Sequence, residues 1–235
     1  MRHLRNYLIL VLLVSLFSVL FQHKIYEAAL EKRISAEGTE NEEFRAEFYS
    51  DAMRKDRELL SESCLSFLSA VEQDIRYFPI PLSEADASLG TSYVDSWMGE
   101  REYKGKGFHE GTDIMADKNE RGIYPVISIS DGTITNLGWL EKGGYRIGIT
   151  SPSGAYFYYA HLDSYADIQE GDTVIAGQFL GFMGDSGYGE EGTVGQFPVH
   201  LHLGIYSFEE GKEISVNPYY VLLALEDKKL KYYYL

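Results

Sequence analysis

Three regimes of apolar patterning divide the 235-residue chain. Residues 7–21 (YLILVLLVSLFSVLF) carry neither charge nor proline and follow Arg2 and Arg5. Such a run predicts a membrane segment over residues 1–24. It sits at the upper limit for a signal-peptide core and is short for a spanning helix. Only Ala28 and Ala29 offer cleavage positions, with Tyr26 or Glu27 where a small residue is needed. An uncleaved single-pass anchor is therefore expected, with secretion after signal cleavage as the alternative. The preceding arginines place the N-terminus inside and the rest of the chain outside the cell.

The second regime has a helical period. Residues 25–37 read as helix, Gly38-Thr39 interrupts, and a second helix is expected from Asn41 to Phe78. Leu60, Cys64, Phe67, Val71 and Ile75 recur every three or four positions and form one stripe. Two readings fit. Residues 25–78 form a stalk that pairs with a second copy, or the stripe packs on the domain that follows. Pro79 and Pro81 stop the helix, and 79–102 read as an irregular connector.

From Tyr103 short apolar runs alternate with glycine turns about every ten residues, as in an antiparallel all-β domain, here 103–226. Asp131-Gly132 and Ser153-Gly154 read as hairpin turns. Asn217-Pro218 opens a short segment through Leu225, and the tail, 227–235, is charged and then aromatic. In His200-Leu201-His202-Leu203-Gly204 the period-two alternation puts both histidines on one face, with Gly204 leaving room beside them. Leu201, Leu203 and Ile205 face the core.

Composition sharpens this picture. Twenty-three glycines and nineteen tyrosines agree with a β-rich domain of tight turns. A net charge of −15 argues against nucleic acid as a partner. Cys64 is the single cysteine, which excludes an intramolecular disulfide and a Cys-x-x-Cys metal site. Any metal must be held by His, Asp or Glu.

Four of six histidines, His109, His161, His200 and His202, fall in the β region. His109 and Asp113 stand four apart in Gly107-Phe108-His109-Glu110-Gly111-Thr112-Asp113, and Gly111 suggests a tight turn entering a strand. His161 ends the aromatic run Tyr158-Tyr159-Ala160. A catalytic zinc takes three protein ligands and leaves one position open. His109, Asp113 and one histidine of the final pair make such a set, and spacing alone does not say which one. His161 and the other histidine are then free to move protons or steady an oxyanion during amide hydrolysis. Tyr159 and Gly204 are candidates for the substrate cleft. No G-x-S-x-G or H-E-x-x-H motif competes.

The stretch from about Lys104 to Tyr219 resembles the M23 peptidase family, the lysostaphin/LytM-type zinc endopeptidases of bacterial cell walls. The resemblance is carried by H-x-G-x-D at 109–113, Gly122 with Pro125-Val126, Asp131-Gly132-Thr133-Ile134, and Tyr159-Ala160-His161-Leu162. It continues through Glu170-Gly171-Asp172-Thr173-Val174, Gly177-Gln178, Gly184-Asp185-Ser186-Gly187, His200-Leu201-His202-Leu203 and Asn217-Pro218. It implies a LytM-like sheet, one Zn2+ on His109, Asp113 and His202, and catalytic imidazoles at His161 and His200, with His200 the general base. It implies peptidoglycan peptides as substrate. The segment 188–199, with Glu190, Glu191 and Phe197, is long for the family and is expected at the cleft rim; Arg121-Gly122-Ile123-Tyr124 is a second departure. Some relatives are held latent by an upstream segment at the metal, for which the connector offers Glu84, Asp86, Asp95, Glu100 and Glu102. The alternatives are a non-enzymatic LytM-like scaffold in an envelope complex and a peptidase of substrates outside the wall.

Overall fold

A computed structural model describes residues 62–103, 105–209 and 212–235, all within one compact unit, Lys55–Leu235. The expected anchor, the 25–37 helix and the first part of the 41–78 helix lie outside the described residues. Among the described residues no helix is long and apolar enough to cross a membrane.

In chain order the elements are helix α1 (Glu62–Asp74), β1 (Leu82–Ser83), β2 (Thr91–Tyr93), β3 (Glu100–Glu102), β4 (Lys106–Phe108) and β5 (Thr112–Ala116). Then follow β6 (Pro125–Ile127), β7 (Gly132–Leu140), β8 (Gly144–Thr150), β9 (Tyr156–Tyr165), β10 (Thr173–Val174) and β11 (Phe179–Met183). The chain closes with β12 (His200–Glu209), β13 (Lys212–Val216), α2 (Pro218–Leu225), a 3-10 turn (Glu226–Lys228) and β14 (Lys231–Tyr232). The described residues are thus mostly β, as the pattern from Tyr103 onward predicts. Its main sheet has ten strands in the order β10-β7-β8-β9-β12-β5-β2, with β11 pairing β6 and β9, and β13 pairing β12.

Strand β12 organises the sheet. Its first half pairs β5 and its second half β13, while β9 runs along it from His202 to Tyr206. Leu201, Leu203 and Ile205 are fully buried beside Phe157, Tyr159, Ile147 and Ile149. That face supplies the hydrophobic drive for the sheet, about 1.5–3 kcal/mol per large side chain removed from water.

Three local expectations change. The helix stops at Asp74, short of Phe78, because the next residues join the sheet: Ile75 bridges Ser130 and the Arg76 amide donates to the Ile129 carbonyl at 2.8 Å. Tertiary pairing overrides helical period there. Phe67, Val71 and Ile75, with Phe78, Ile80 and Leu89 downstream, lie in the same core as the sheet. The stripe therefore packs on the β domain from Phe67 onward, and residues 79–102 are built into it: β2 pairs β5, and β3 pairs β4. Finally, Asp131-Gly132 is no hairpin turn. Gly132 begins β7, where a Cβ would come within 2.6 Å of the Thr150 carbonyl oxygen, and the Asp131 carboxylate accepts from the Ala176 amide at 2.7 Å. Ser153-Gly154 does join the paired strands β8 and β9. Asn217 caps α2, accepting from the Tyr219 amide at 3.0 Å. The tail is tied down through β14, which pairs in parallel with β1.

Ile75 tests the placement of α1. Replacing Ile75 with Ala should lower domain stability by about 2–5 kcal/mol in urea unfolding, the usual cost of emptying a filled core position. A free stalk would leave the midpoint unchanged.

Candidate metal centre and catalytic cleft

Register builds the centre. His202 on β12 pairs directly with Asp113 on β5, and on its other side with Ala160 on β9. His109 sits in the turn before β5, where its amide donates to the Gly99 carbonyl at 2.9 Å and its carbonyl accepts from the Met98 amide at 2.7 Å. The segment 98–99, read as connector, thus holds the first histidine in place. Gly111 is required by crowding: a Cβ there would lie 2.3 Å from Cε1 of His202.

Three donor atoms meet. His109 Nε2, Asp113 Oδ1 and His202 Nδ1 stand 3.0 Å from one another on every side. The His109 Nδ1 lies 3.0 Å from the Ser96 carbonyl oxygen and 3.1 Å from Arg101 Nη2; the tautomer that donates to the carbonyl from Nδ1 keeps a lone pair on Nε2. Three such atoms this close need a proton or a cation among them, and His/Asp/His is a donor set suited to a divalent transition metal. Burial pushes the Asp113 carboxyl upward, but its contacts with His109 and His202 and the nearby charge on His202 and His200 outweigh that and hold it well below the ordinary range. Arg101, on β3, donates through Nη2 to Asp113 Oδ2 at 2.7 Å, leaving Oδ1 as the oxygen both histidines share.

His161 and His200 stand beside this triad with ring centroids 4.7 Å apart. Each is anchored at Nδ1 by a carbonyl: His161 by Ser186 at 2.8 Å and His200 by Pro198 at 2.7 Å. Both therefore donate from Nδ1 and keep Nε2 as a lone pair. Burial, then neighbouring His200 and His202, holds the His161 pKa well below its ordinary value. Burial also lowers that of His200, while Asp113 and the Pro198 bond pull it back. His200 Nε2 lies 3.7 Å from Asp113 Oδ1, outside the close triad.

His161 reaches the cleft through a bulge. Tyr145 pairs Leu162 and Ile147 pairs Tyr159, so β9 spends one residue more than β8 over that step. His161 takes φ 64°. Ala160 and His161 consequently face the cleft in succession, and the alternation before them is reversed. Tyr158 lines the cleft, whereas Tyr159 is fully buried and accepts from the Ile129 amide at 2.9 Å. The expectation of Tyr159 in the cleft is therefore corrected to Tyr158. Gly204 is on the expected face, but the room it leaves is filled by Tyr206, whose ring a Cβ would approach to 2.5 Å.

The cleft has a volume of about 350 Å³. The long segment 188–199 supplies one wall: Phe197 packs 4.6 Å from the His161 ring and 5.1 Å from His200, and Tyr188 stacks on Tyr103 at 4.4 Å. Among the described residues none of Glu84, Asp86, Asp95, Glu100 and Glu102 lines it; the residue that β3 sends in is Arg101. Arg101 and Tyr206 carry no local sequence signal for a place in the cleft, and Tyr158 shows only as part of the aromatic run before His161.

A model of peptidase family M23 matches residues 107–218. A Ruminococcus gnavus ATCC 29149 crystal structure, assigned as the glycyl-glycine endopeptidase LytM, is 56% identical; the match covers 80% of this chain and 75% of that one, with a TM-score of 0.69. The chain belongs to peptidase family M23. It is 41% identical over 150 residues to the L-Ala–D-Glu endopeptidase of Bacillus subtilis (strain 168), covering 63% of this chain and 43% of that protein. Against lysostaphin of Staphylococcus simulans it is 37% identical over 84 residues, covering 35% of this chain and 16% of that one. The chain thus spans less than half the length of these two relatives.

Substitution should separate the two groups of histidines. His109→Ala, Asp113→Ala and His202→Ala should each abolish zinc uptake in calorimetric titration. His161→Ala and His200→Ala should still bind about one ion per chain.

Proposed function

We propose that this M23 chain is a zinc-dependent endopeptidase that hydrolyses amide bonds in peptidoglycan stem peptides or cross-links. The observation that carries the reading is the convergence of three lone-pair donors beside two imidazoles with free Nε2 atoms. His109, Asp113 and His202 would hold one Zn2+; donors 3.0 Å apart need to spread by only about 0.3 Å to match the edge of a tetrahedron whose ligand bonds are about 2.0–2.1 Å. The ion supplies a water of lowered pKa and polarises the scissile carbonyl.

The chain's own residues supply the proton transfers. His200 Nε2 accepts the proton of the attacking water, and the carboxylate of Asp113, 3.7 Å away, stabilises the imidazolium that forms. His161 is close enough that a charge on His200 keeps it neutral, so the pair takes up one extra proton at a time. Such a pair is a base before attack and an acid after it, able to return the proton to the leaving nitrogen. The Ser186 and Pro198 carbonyls fix both rings so that Nε2 stays in the cleft. Tyr158 and Tyr206, their phenols pushed up by burial, remain protonated throughout.

The substrate class is supported by relatives described as L-Ala–D-Glu and glycyl-glycine endopeptidases. The retention of all five metal and catalytic positions favours an enzyme over a scaffold. The apolar run at 7–21 behind Arg2 and Arg5 supports a membrane anchor with the catalytic domain outside the cell.

Zinc-loaded full chain incubated with purified peptidoglycan should release fragments whose masses identify the bond, a new N-terminal D-Glu or a new N-terminal Gly. His200→Ala should lower turnover by about 10²–10⁴-fold, and His109→Ala should release nothing. Release by wild type that matches the variants would leave the scaffold reading standing. His200 must be neutral to accept a proton, and burial holds its pKa below the ordinary imidazole value, so its protonation should not limit turnover at neutral pH. A His200 imidazole that titrates above 6.5 when followed by NMR in the zinc-loaded chain would contradict that assignment.

A further inference from the structure

The same bulge that turns His161 into the cleft leaves Arg146, on β8, without a paired residue on β9. Arg146 lines a second cavity of about 550 Å³ with Tyr156, Tyr158, Tyr206, Phe208 and Glu213. Tyr158 and Tyr206 line the catalytic cleft as well, so the two spaces adjoin across these rings. The Nη1 atom of Arg146 is buried and has no hydrogen-bond partner. A cationic donor withdrawn from water without an acceptor is costly unless something else satisfies it. Tyr156, whose hydroxyl donates to Asn136 Oδ1 at 2.9 Å, makes no bond to Nη1.

We propose that this cavity is a substrate subsite in which Arg146 receives a carboxylate of the peptide whose scissile bond lies at the metal centre. The inference rests on the proposed peptidase reading and sharpens it, because it selects an acidic stem peptide over a neutral glycine bridge. A guanidinium is suited to a carboxylate by its paired donors. Glu213 lines the same cavity without forming an ion pair with Arg146, and Glu170 accepts from the Leu137 amide at 2.7 Å, so neither carboxylate occupies the guanidinium. Tyr156, Tyr158, Tyr206 and the exposed Phe208 give the peptide backbone aromatic faces to lie against.

The test separates binding from turnover. Zinc-loaded full chain carrying His200→Ala is titrated calorimetrically with L-alanyl-D-glutamyl-L-lysine, free acid at the D-Glu carboxylate, and with the same peptide amidated there. The acid should bind at least tenfold more tightly. Adding Arg146→Met should erase the difference, and Arg146→Lys should restore part of it, with unchanged thermal melts. In the active chain, Arg146→Met should raise KM for the acid peptide and leave kcat in place. Equal affinity for acid and amide, or a preference that survives Arg146→Met, overturns the subsite. If that happens in a chain that digests peptidoglycan, the peptidase reading stands; a chain that digests none overturns that reading and the subsite with it.

Discussion

The structure depends on one cross-strand pair. Placing His202 opposite Asp113 on neighbouring strands brings an imidazole nitrogen and a carboxylate oxygen to within 3.0 Å on the cleft face of the sheet. A one-residue slip of β12 against β5 would send both histidines of that strand into the core and Leu201 and Leu203 into the cleft. Burial of these leucines therefore enforces the geometry of the polar face. The same free energy that folds the sheet sets the position of the metal ligands.

The residues before the β domain take part in this. Backbone bonds between 98–99 and His109 fix the first ligand, and the hairpin of β3 and β4 carries Arg101 to the far oxygen of Asp113. In a chain of net charge −15, a cation at that oxygen steadies the carboxylate while keeping its other oxygen for the histidines. Position and charge at the centre are thus shared between the strand that bears the histidines and a segment far from it in sequence.

Much of this was legible before any coordinates. Alternation along His200–Ile205 gave the correct faces, and the His and Asp residues singled out by type converge. What escaped reading has physical causes. Tyr159 stands two residues from His161 and would share its face on a regular strand; the bulge and the φ of 64° at His161 break that period. Arg101 gave no local signal, since its role exists only once a hairpin folds back on β5. The Asn41–Phe78 helix was read past its end because helical period continues through Ile75, while the chain there pairs with Ser130. Asp131-Gly132 has the composition of a turn, yet its glycine serves close approach to Thr150.

The segment 188–199 has a further consequence. The Gly187 amide donates to the Thr193 carbonyl at 2.9 Å, the Thr193 amide to Glu190 at 3.0 Å, and the Gly195 amide to the Asp185 carboxylate at 3.1 Å. Arg121 ties Asp185 back to Asp163. A loop cross-linked to itself in this way has already given up its conformational entropy on folding. Phe197 and Tyr188 consequently form a preset gauge for whatever enters. A chain that fits binds without the cost of ordering a wall, and one too broad for the gap meets aromatic rings that are held in place rather than a flap that can yield.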